Sequence, residues 1–317
     1  MTVKKTTPKI SVIIPLFNRE QLIPETLESL LSQTFENWEC IIVDDHSIDK
    51  GFSVVKNFSQ QDSRFKCYLR PEKLKKGANS CRNFGLSKSH GEFIYWLDSD
   101  DIPHPNLLEY ALRCLKGSCL DYVRFKRKLF YGKFEQNLIE DKKLKPGREL
   151  IPSPDLIEAM LLNELEFNTC NVVWRRNSLS NQRFCENIVY ADEWEYYSRL
   201  LIMGLKGQNL ENILIFGRKH KNSTTAEYSL KSSVRVASKI KAVQMVLKNL
   251  NENKLFTPRL KSYFLRLGFE VKSFNIIKLS LKAANAGMLE KWKYKIGYQF
   301  YPVLKPIFYL KGKILKS

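Results

Sequence analysis

Asp98-Ser99-Asp100-Asp101 follows directly on the apolar run Phe93-Ile94-Tyr95-Trp96-Leu97. Two carboxylates one residue apart at the end of a buried strand can share a hard divalent cation and the diphosphate it carries. The plainer use is an acidic turn that caps the next helix, with Pro103 in its first turn. Three further clusters fall at loop positions that a parallel sheet would bring to one edge: Asp44-Asp45 after a second strand, Asp192-Glu193 opening a helix, and Arg218-Lys219-His220-Lys221-Asn222-Ser223 after a later strand. Together they offer metal ligands, cations for an anionic group and a carboxylate for proton transfer.

The elements that must position these groups are readable from periodicity. Residues 10–14 form an apolar run closed by Pro15, and Leu22, Leu27, Leu30 and Leu31 then repeat at helical spacing up to Gln33. Residues 40–43, 65–69 and 93–97 are expected as further strands, with helices over residues 52–59 and 78–88. Such alternation predicts an α/β fold with a mostly parallel central sheet flanked by helices, whose polar residues gather at the strand ends. The charged segment 126–154, with Gly132, Pro146 and Gly147, reads as a long excursion into a helix over 154–162. It divides residues 1–225 into a donor half, 9–125, and an acceptor half, 126–225. A helix over 194–203 and a strand over 213–216 follow.

Beyond Thr225, two apolar stripes, Val234 to Leu250 and Leu260 to Ile277, predict two amphipathic helices. Residues 292–315 then interleave aromatics with lysines and are expected to be broken at Pro302 and Pro306. The net charge of +19 is concentrated here: residues 226–317 carry 19 Lys and Arg against four Glu, leaving +4 for the first 225. A basic helical extension of that kind suits an anionic surface, a lipid headgroup layer or nucleic acid.

Seven cysteines, odd in number and never spaced Cys-x-x-Cys, argue against a disulfide framework or a zinc knuckle. Residues 1–9 lack the apolar segment of a secretory signal and no run of 18 apolar residues occurs, so a cytoplasmic protein is expected. No Gly-x-Gly-x-x-Gly is present and Pro15-Leu16-Phe17-Asn18 makes no glycine-rich phosphate loop, which disfavours a dinucleotide oxidoreductase and a sugar nucleotidyltransferase.

Over roughly residues 9–225 the chain resembles the inverting family-2 glycosyltransferases of GT-A fold. The motifs that carry the likeness are Ser11-Val12-Ile13-Ile14-Pro15-Leu16-Phe17-Asn18, Ile41-Ile42-Val43-Asp44-Asp45-His46-Ser47, Arg82-Asn83-Phe84-Gly85-Leu86, Gly91-Glu92-Phe93-Ile94 and Leu97-Asp98-Ser99-Asp100-Asp101. Asp192-Glu193-Trp194-Glu195 and Arg218-Lys219-His220 complete the series in family order. The resemblance implies that Pro15, Phe17, Asp45, Arg82 and Asp98 bind a nucleotide-sugar, with a UDP-sugar as the expected donor. Asp100 and His220 would ligate Mg²⁺ or Mn²⁺, and Glu193, or Asp192 in its place, would be the general base.

A glycan or lipid-linked acceptor, in surface-polysaccharide or lipopolysaccharide assembly, completes the implied reaction. The extension 226–317 would hold the protein at the inner face of the membrane. A nucleic-acid-binding protein using that basic third is the alternative, but it explains only the tail, so no nucleic-acid partner is expected. Four departures from the family pattern stand out. Phe17 replaces a usual Tyr, His46 a usual Gly, Gly217 a usual aromatic, and Asp192-Glu193 reverses the usual Glu-Asp order.

Overall fold

The computed structural model describes residues 8–140, 143–220 and 224–314. Its first half is the expected alternation: β1 (Ile10–Leu16), α1 (Ile23–Leu31), β2 (Trp38–Asp44), α2 (Gly51–Gln61), β3 (Phe65–Leu69), α3 (Ala78–Lys88) and β4 (Phe93–Trp96). These four strands are parallel in the order β3-β2-β1-β4. Nearly every residue of β1, β2 and β4 is buried because helices cover both faces of the sheet. Alternate side chains therefore feed two cores. Val12, Ile14, Cys40, Ile42 and Tyr95 pack on one face with α1, whereas Ile13, Ile41, Val43, Ile94 and Trp96 pack on the other. Helix α3 lies so close to β1 that a Cβ on Gly85 would sit 2.5 Å from the Ile13 Cγ2.

The second half corrects the expectation of a long excursion. Residues 122–131 form a ten-residue strand, β6 (Tyr122–Tyr131), after a two-residue β5 (Ile102–Pro103) and α4 (Leu107–Leu115). The basic run was misleading because its side chains find carboxylates beside the sheet. Lys126 pairs with Glu211 at 2.5 Å, Arg127 with Asp101 at 3.2 Å and Lys128 with Glu140 at 2.7 Å. Beyond β7 (Pro146–Leu150) and α5 (Pro154–Leu161), a four-residue β8 (Val172–Arg175) inserts antiparallel between β4 and β6, which makes the sheet mixed. Then come α6 (Arg176–Leu179), α7 (Asp192–Ile202) and the long β9 (Gly207–Lys219), and the sheet order reads β3-β2-β1-β4-β8-β6-β9-β5 with β7 on β9.

The basic extension is helical: α8 (Thr224–Ser229), α9 (Ser233–Glu252), α10 (Pro258–Glu270), α11 (Phe274–Ala283) and α12 (Met288–Ile314). The second predicted stripe is two helices, α10 and α11, because Lys272 takes a left-handed conformation with φ 53°. Nor do Pro302 and Pro306 interrupt α12, which runs through both. Val243, Leu247, Leu250, Leu260, Phe264 and Ile276 share one core with Trp96, Trp174, Tyr196 and Tyr197, so α9 to α11 continue the same hydrophobic interior. Among the described residues no helix is long and apolar enough to cross a membrane. Lys221, Asn222 and Ser223 lie outside the described residues, as do the side chains beyond Tyr301.

Candidate active site

Because β1, β2 and β4 are parallel, their carboxyl ends open on one edge of the sheet, and a cleft of about 830 Å³ lies there. Pro15, Phe17, Asp45, Arg82, Asp98, Asp100, Asp192 and Glu193 all line it. His220 stands at its edge, with Nε2 2.7 Å from the Asp100 Oδ2. Every sequence-predicted site residue is thus brought to one place, from positions as far apart as Pro15 and His220.

One wall is built from the ends of β1 and β2. The Asp45 N–H donates to the Leu16 carbonyl at 2.8 Å, and the buried Asp45 carboxylate accepts from the Arg70 Nε at 2.5 Å. Phe17 is 39% exposed, with the Lys76 ammonium 4.5 Å from its ring centroid, so the ring is a cleft wall rather than core packing. His46 adopts φ 59°, the left-handed conformation that glycine reaches without strain, and its Nε2 lies 2.8 Å from the Arg70 carbonyl oxygen. The substitution of a usual glycine is therefore tolerated through a local hydrogen bond.

Arginines organise the carboxylates. Arg82, buried on α3, donates to Asp98 at 2.9 Å, to Asp192 at 3.0 Å and to the Asn79 Oδ1 at 2.8 Å. Burial works against its charge, yet Asp98, Asp192 and Glu193 outweigh that and hold the guanidinium above its ordinary range. Asp101 is buried deeper, between the Arg218 N–H at 3.0 Å and the Arg127 Nη2 at 3.2 Å. Burial lifts its carboxyl to about 7 against the pull of Arg127, with Asp100 and Asp98 adding to the rise. Gly217 is glycine because the Arg127 guanidinium passes through the space of its side chain: a Cβ would lie 2.2 Å from the Arg127 Nε.

The loop before α7 is held from two sides. From α3, Asn83 donates to the Phe184 carbonyl and accepts from the Phe184 N–H, both at 3.0 Å, while Asn79 donates to the Ile188 carbonyl at 2.8 Å. From α9, the Ser238 Oγ accepts from the Val189 N–H at 2.8 Å and the Tyr190 N–H at 3.0 Å. Ala191 then turns through a left-handed φ of 60° into Asp192 and Glu193. Thr169 donates to the Glu193 Oε1 at 3.3 Å. Burial, then the Asp192 charge, raises the Glu193 carboxyl to about 7.

Among the described residues two donor sets could hold a cation. Asp98, Asp101 and Cys170 bring ligand atoms within 4.8 Å of one another. Burial pushes the Cys170 thiol far above its ordinary range, and both Asp101 oxygens already accept hydrogen bonds, so neither of these two offers a free ligand. Asp100 and His220 present a carboxylate and an imidazole to each other beside the cleft, and Arg19 lies 3.8 Å from the same Asp100 oxygen. An oxygen and a nitrogen ligand of that kind fit Mn²⁺ or a similar divalent ion. Sequence reasoning missed Arg127, Asn79, Lys76 and Ser238. Arg127 was hidden in a run read as loop, and Ser238 on a helix read as separate from the site.

The family model of glycosyl transferase family 2 matches residues 11–184. The chain belongs to that family. Its similarity to the GalNAc(5)-diNAcBac-PP-undecaprenol beta-1,3-glucosyltransferase of Campylobacter jejuni is 43% identity over 108 residues, 34% of this chain and 33% of that enzyme. The matched segment thus spans about a third of that relative. Among solved structures, Staphylococcus aureus TarS 1–349 in complex with UDP-GlcNAc superposes with a TM-score of 0.58 at 16% identity, covering 87% of this chain and 91% of that one. The mannosyltransferase PcManGT of Pyrobaculum calidifontis, in complex with GDP-Man and Mn²⁺, gives 0.54 at 17%, covering 95% and 82%. These likenesses fix the fold as that of the GT-A glycosyltransferases, as the sequence motifs implied.

Proposed function

We propose that this family-2 glycosyltransferase moves a hexose-type sugar from a UDP-sugar to a hydroxyl of a glycan or lipid-linked acceptor, inverting the anomeric centre. The observation that carries the reading is the convergence of Asp45, Asp98, Asp100 and Glu193 on one cleft at the carboxyl ends of parallel strands. Asp45 and Phe17 would meet the base, a carboxylate suiting the N3–H of uracil. Arg82 and Asp98 would hold the ribose and sugar side. The Campylobacter relative, named for an undecaprenol-diphosphate acceptor, and the UDP-GlcNAc complex of TarS support the two substrate classes.

Glu193 is the proposed base. Asp192 is engaged by Arg82 in a buried ion pair, whereas the Glu193 carboxylate meets the Thr169 hydroxyl and a backbone N–H, and burial raises it to about 7. It would take the acceptor hydroxyl's proton as that oxygen attacks the anomeric carbon. A single carboxylate suffices for such a displacement, because a diphosphate leaves without an acid. Asp100 and His220 would hold a divalent cation, Mg²⁺ or Mn²⁺, which when bound offsets the charge of the departing diphosphate. The manganese complex of the Pyrobaculum neighbour supports this assignment. The division at residue 225 is proposed as one of charge, with the proposed catalytic carboxylates before it and the basic helices after it, of which α9 to α11 pack on the core and only the last would face the membrane.

The test is turnover against binding. Glu193→Gln should keep UDP-sugar affinity in calorimetry while losing 10²–10⁴-fold in UDP release, the usual range for a general base. Substantial turnover by that variant would move the base role to Asp192 or elsewhere.

A further inference from the structure

We infer that α12 lies flat in the surface of an anionic bilayer, its Met288, Leu289, Trp292, Ile296 and Phe300 side chains set between the headgroups. At 100° per residue these five fall within a single arc of about a third of the helix. Four of them are among the most exposed large apolar residues of the protein: Met288 86%, Leu289 87%, Trp292 66% and Phe300 56%. That exposure belongs to a packed helix, since the opposite arc is seated. Tyr298 lies 5.2 Å, centroid to centroid, from Phe274, and Tyr301 lies 5.0 Å from Phe269. Docking of the tyrosine face on α10 and α11 therefore fixes which face points outward.

Charge chooses the occupant. Lys291 and Lys295 border the apolar arc on one side and Lys293 on the other, all three exposed. Glu290, the one acidic residue in 288–317, is turned to the seated side and pairs with Lys261 at 2.7 Å. An apolar centre with cationic margins matches a lipid interface, where aromatic and aliphatic groups sit below the phosphates and lysines reach them. Nucleic acid would call for cations at the centre of the face, and a second copy of this chain would bring lysine margins against each other. The inference rests on the proposed lipid-linked acceptor only in that such an acceptor would be presented on this surface.

The experiment is flotation of the full chain with vesicles of phosphatidylcholine alone or with 30% phosphatidylglycerol, at about 0.15 M salt. Binding is expected to the anionic vesicles only, and to fall at least tenfold in the doubly substituted W292E and F300E protein. A protein with Lys291, Lys293 and Lys295 all changed to Gln should lose on the order of a hundredfold, at roughly fivefold per headgroup contact. Trp292 also reports depth. Trp38, Trp96 and Trp174 are buried and the half-buried Trp194 packs against Tyr263 away from α12, so quenching by bromine-labelled acyl chains should vanish in Trp292→Phe.

Unchanged flotation of the W292E, F300E protein, or quenching that survives Trp292→Phe, would overturn the inference. So would a dimer in sedimentation that the same two substitutions dissolve. UDP release with a short-chain, water-soluble acceptor should be unaffected by these changes. A loss of that activity in the wild-type chain would count against the transferase reading and leave the bilayer measurement standing.

Discussion

Replacing Glu193 by glutamine should make the protein worse at its reaction and more stable at alkaline pH. The Glu193 carboxyl ionises at about 7 instead of 4.5, because burial and the Asp192 charge disfavour the anion. Between those two values the folded chain keeps a proton that the unfolded chain has released. Stability is therefore greatest below the unfolded value and declines as pH rises through the folded one. At about 1.4 kcal/mol per pH unit the penalty has a ceiling of roughly 3 kcal/mol above neutrality. Glu193 opens on the cleft, and solvent there screens the charge, so about 1–2 kcal/mol is the working figure. Glutamine keeps the shape and an acceptor for the Thr169 hydroxyl but carries no charge. Calorimetry at pH 8 should show the variant melting a few degrees above the wild type, and near-equal melting at pH 5. Wild-type kcat/KM should rise with pH on a limb centred near 7. A variant that melts at or below the wild type at pH 8 refutes the claim that Glu193 is held ionised at a cost.

Asp100→Ala should abolish divalent-ion stimulation of UDP release and weaken UDP-sugar binding in the presence of Mn²⁺, with little effect in EDTA; binding that is equally tight with and without the ion in both proteins counts against the Asp100–His220 site. Gly217→Ala should destabilise by about 1–3 kcal/mol in urea, since its Cβ displaces an Arg127 guanidinium tied to Asp101. Ser238→Ala frees the Val189 and Tyr190 N–H groups that set the entry into Asp192 and Glu193, and kcat should fall at least tenfold with donor KM unchanged. An equal loss in kcat and donor affinity would mean that Ser238 acts on the whole cleft rather than on that loop.

The parallel half was legible because its strands are buried on both faces, which leaves unbroken apolar runs, and because its chemistry falls at strand ends that the topology must align. The mixed half was not. In β6 Lys126 and Lys128 reach outward to Glu211 on another strand and to Glu140 beyond the strand's end, so the segment resembled a solvated excursion. β8 is too short for periodicity to register. The stripes of α9 to α11 predicted helices correctly, but an apolar stripe fits a protein core and a lipid surface equally well. Only the packing of Val243 and Phe264 beside Tyr196 and Trp96 separates those helices from α12. His46 and Gly217, which departed from the family pattern, became intelligible once a backbone φ and a neighbouring guanidinium were visible.

The most direct test of the central claim is the anomeric configuration of the product. The purified protein, Mn²⁺, a panel of α-linked UDP-hexoses and a diphosphate-lipid-linked sugar acceptor should yield a product whose new glycosidic proton shows β coupling in NMR. An α-linked product, or a panel in which no UDP-sugar is bound or consumed, would contradict a single displacement driven by Glu193 in this cleft.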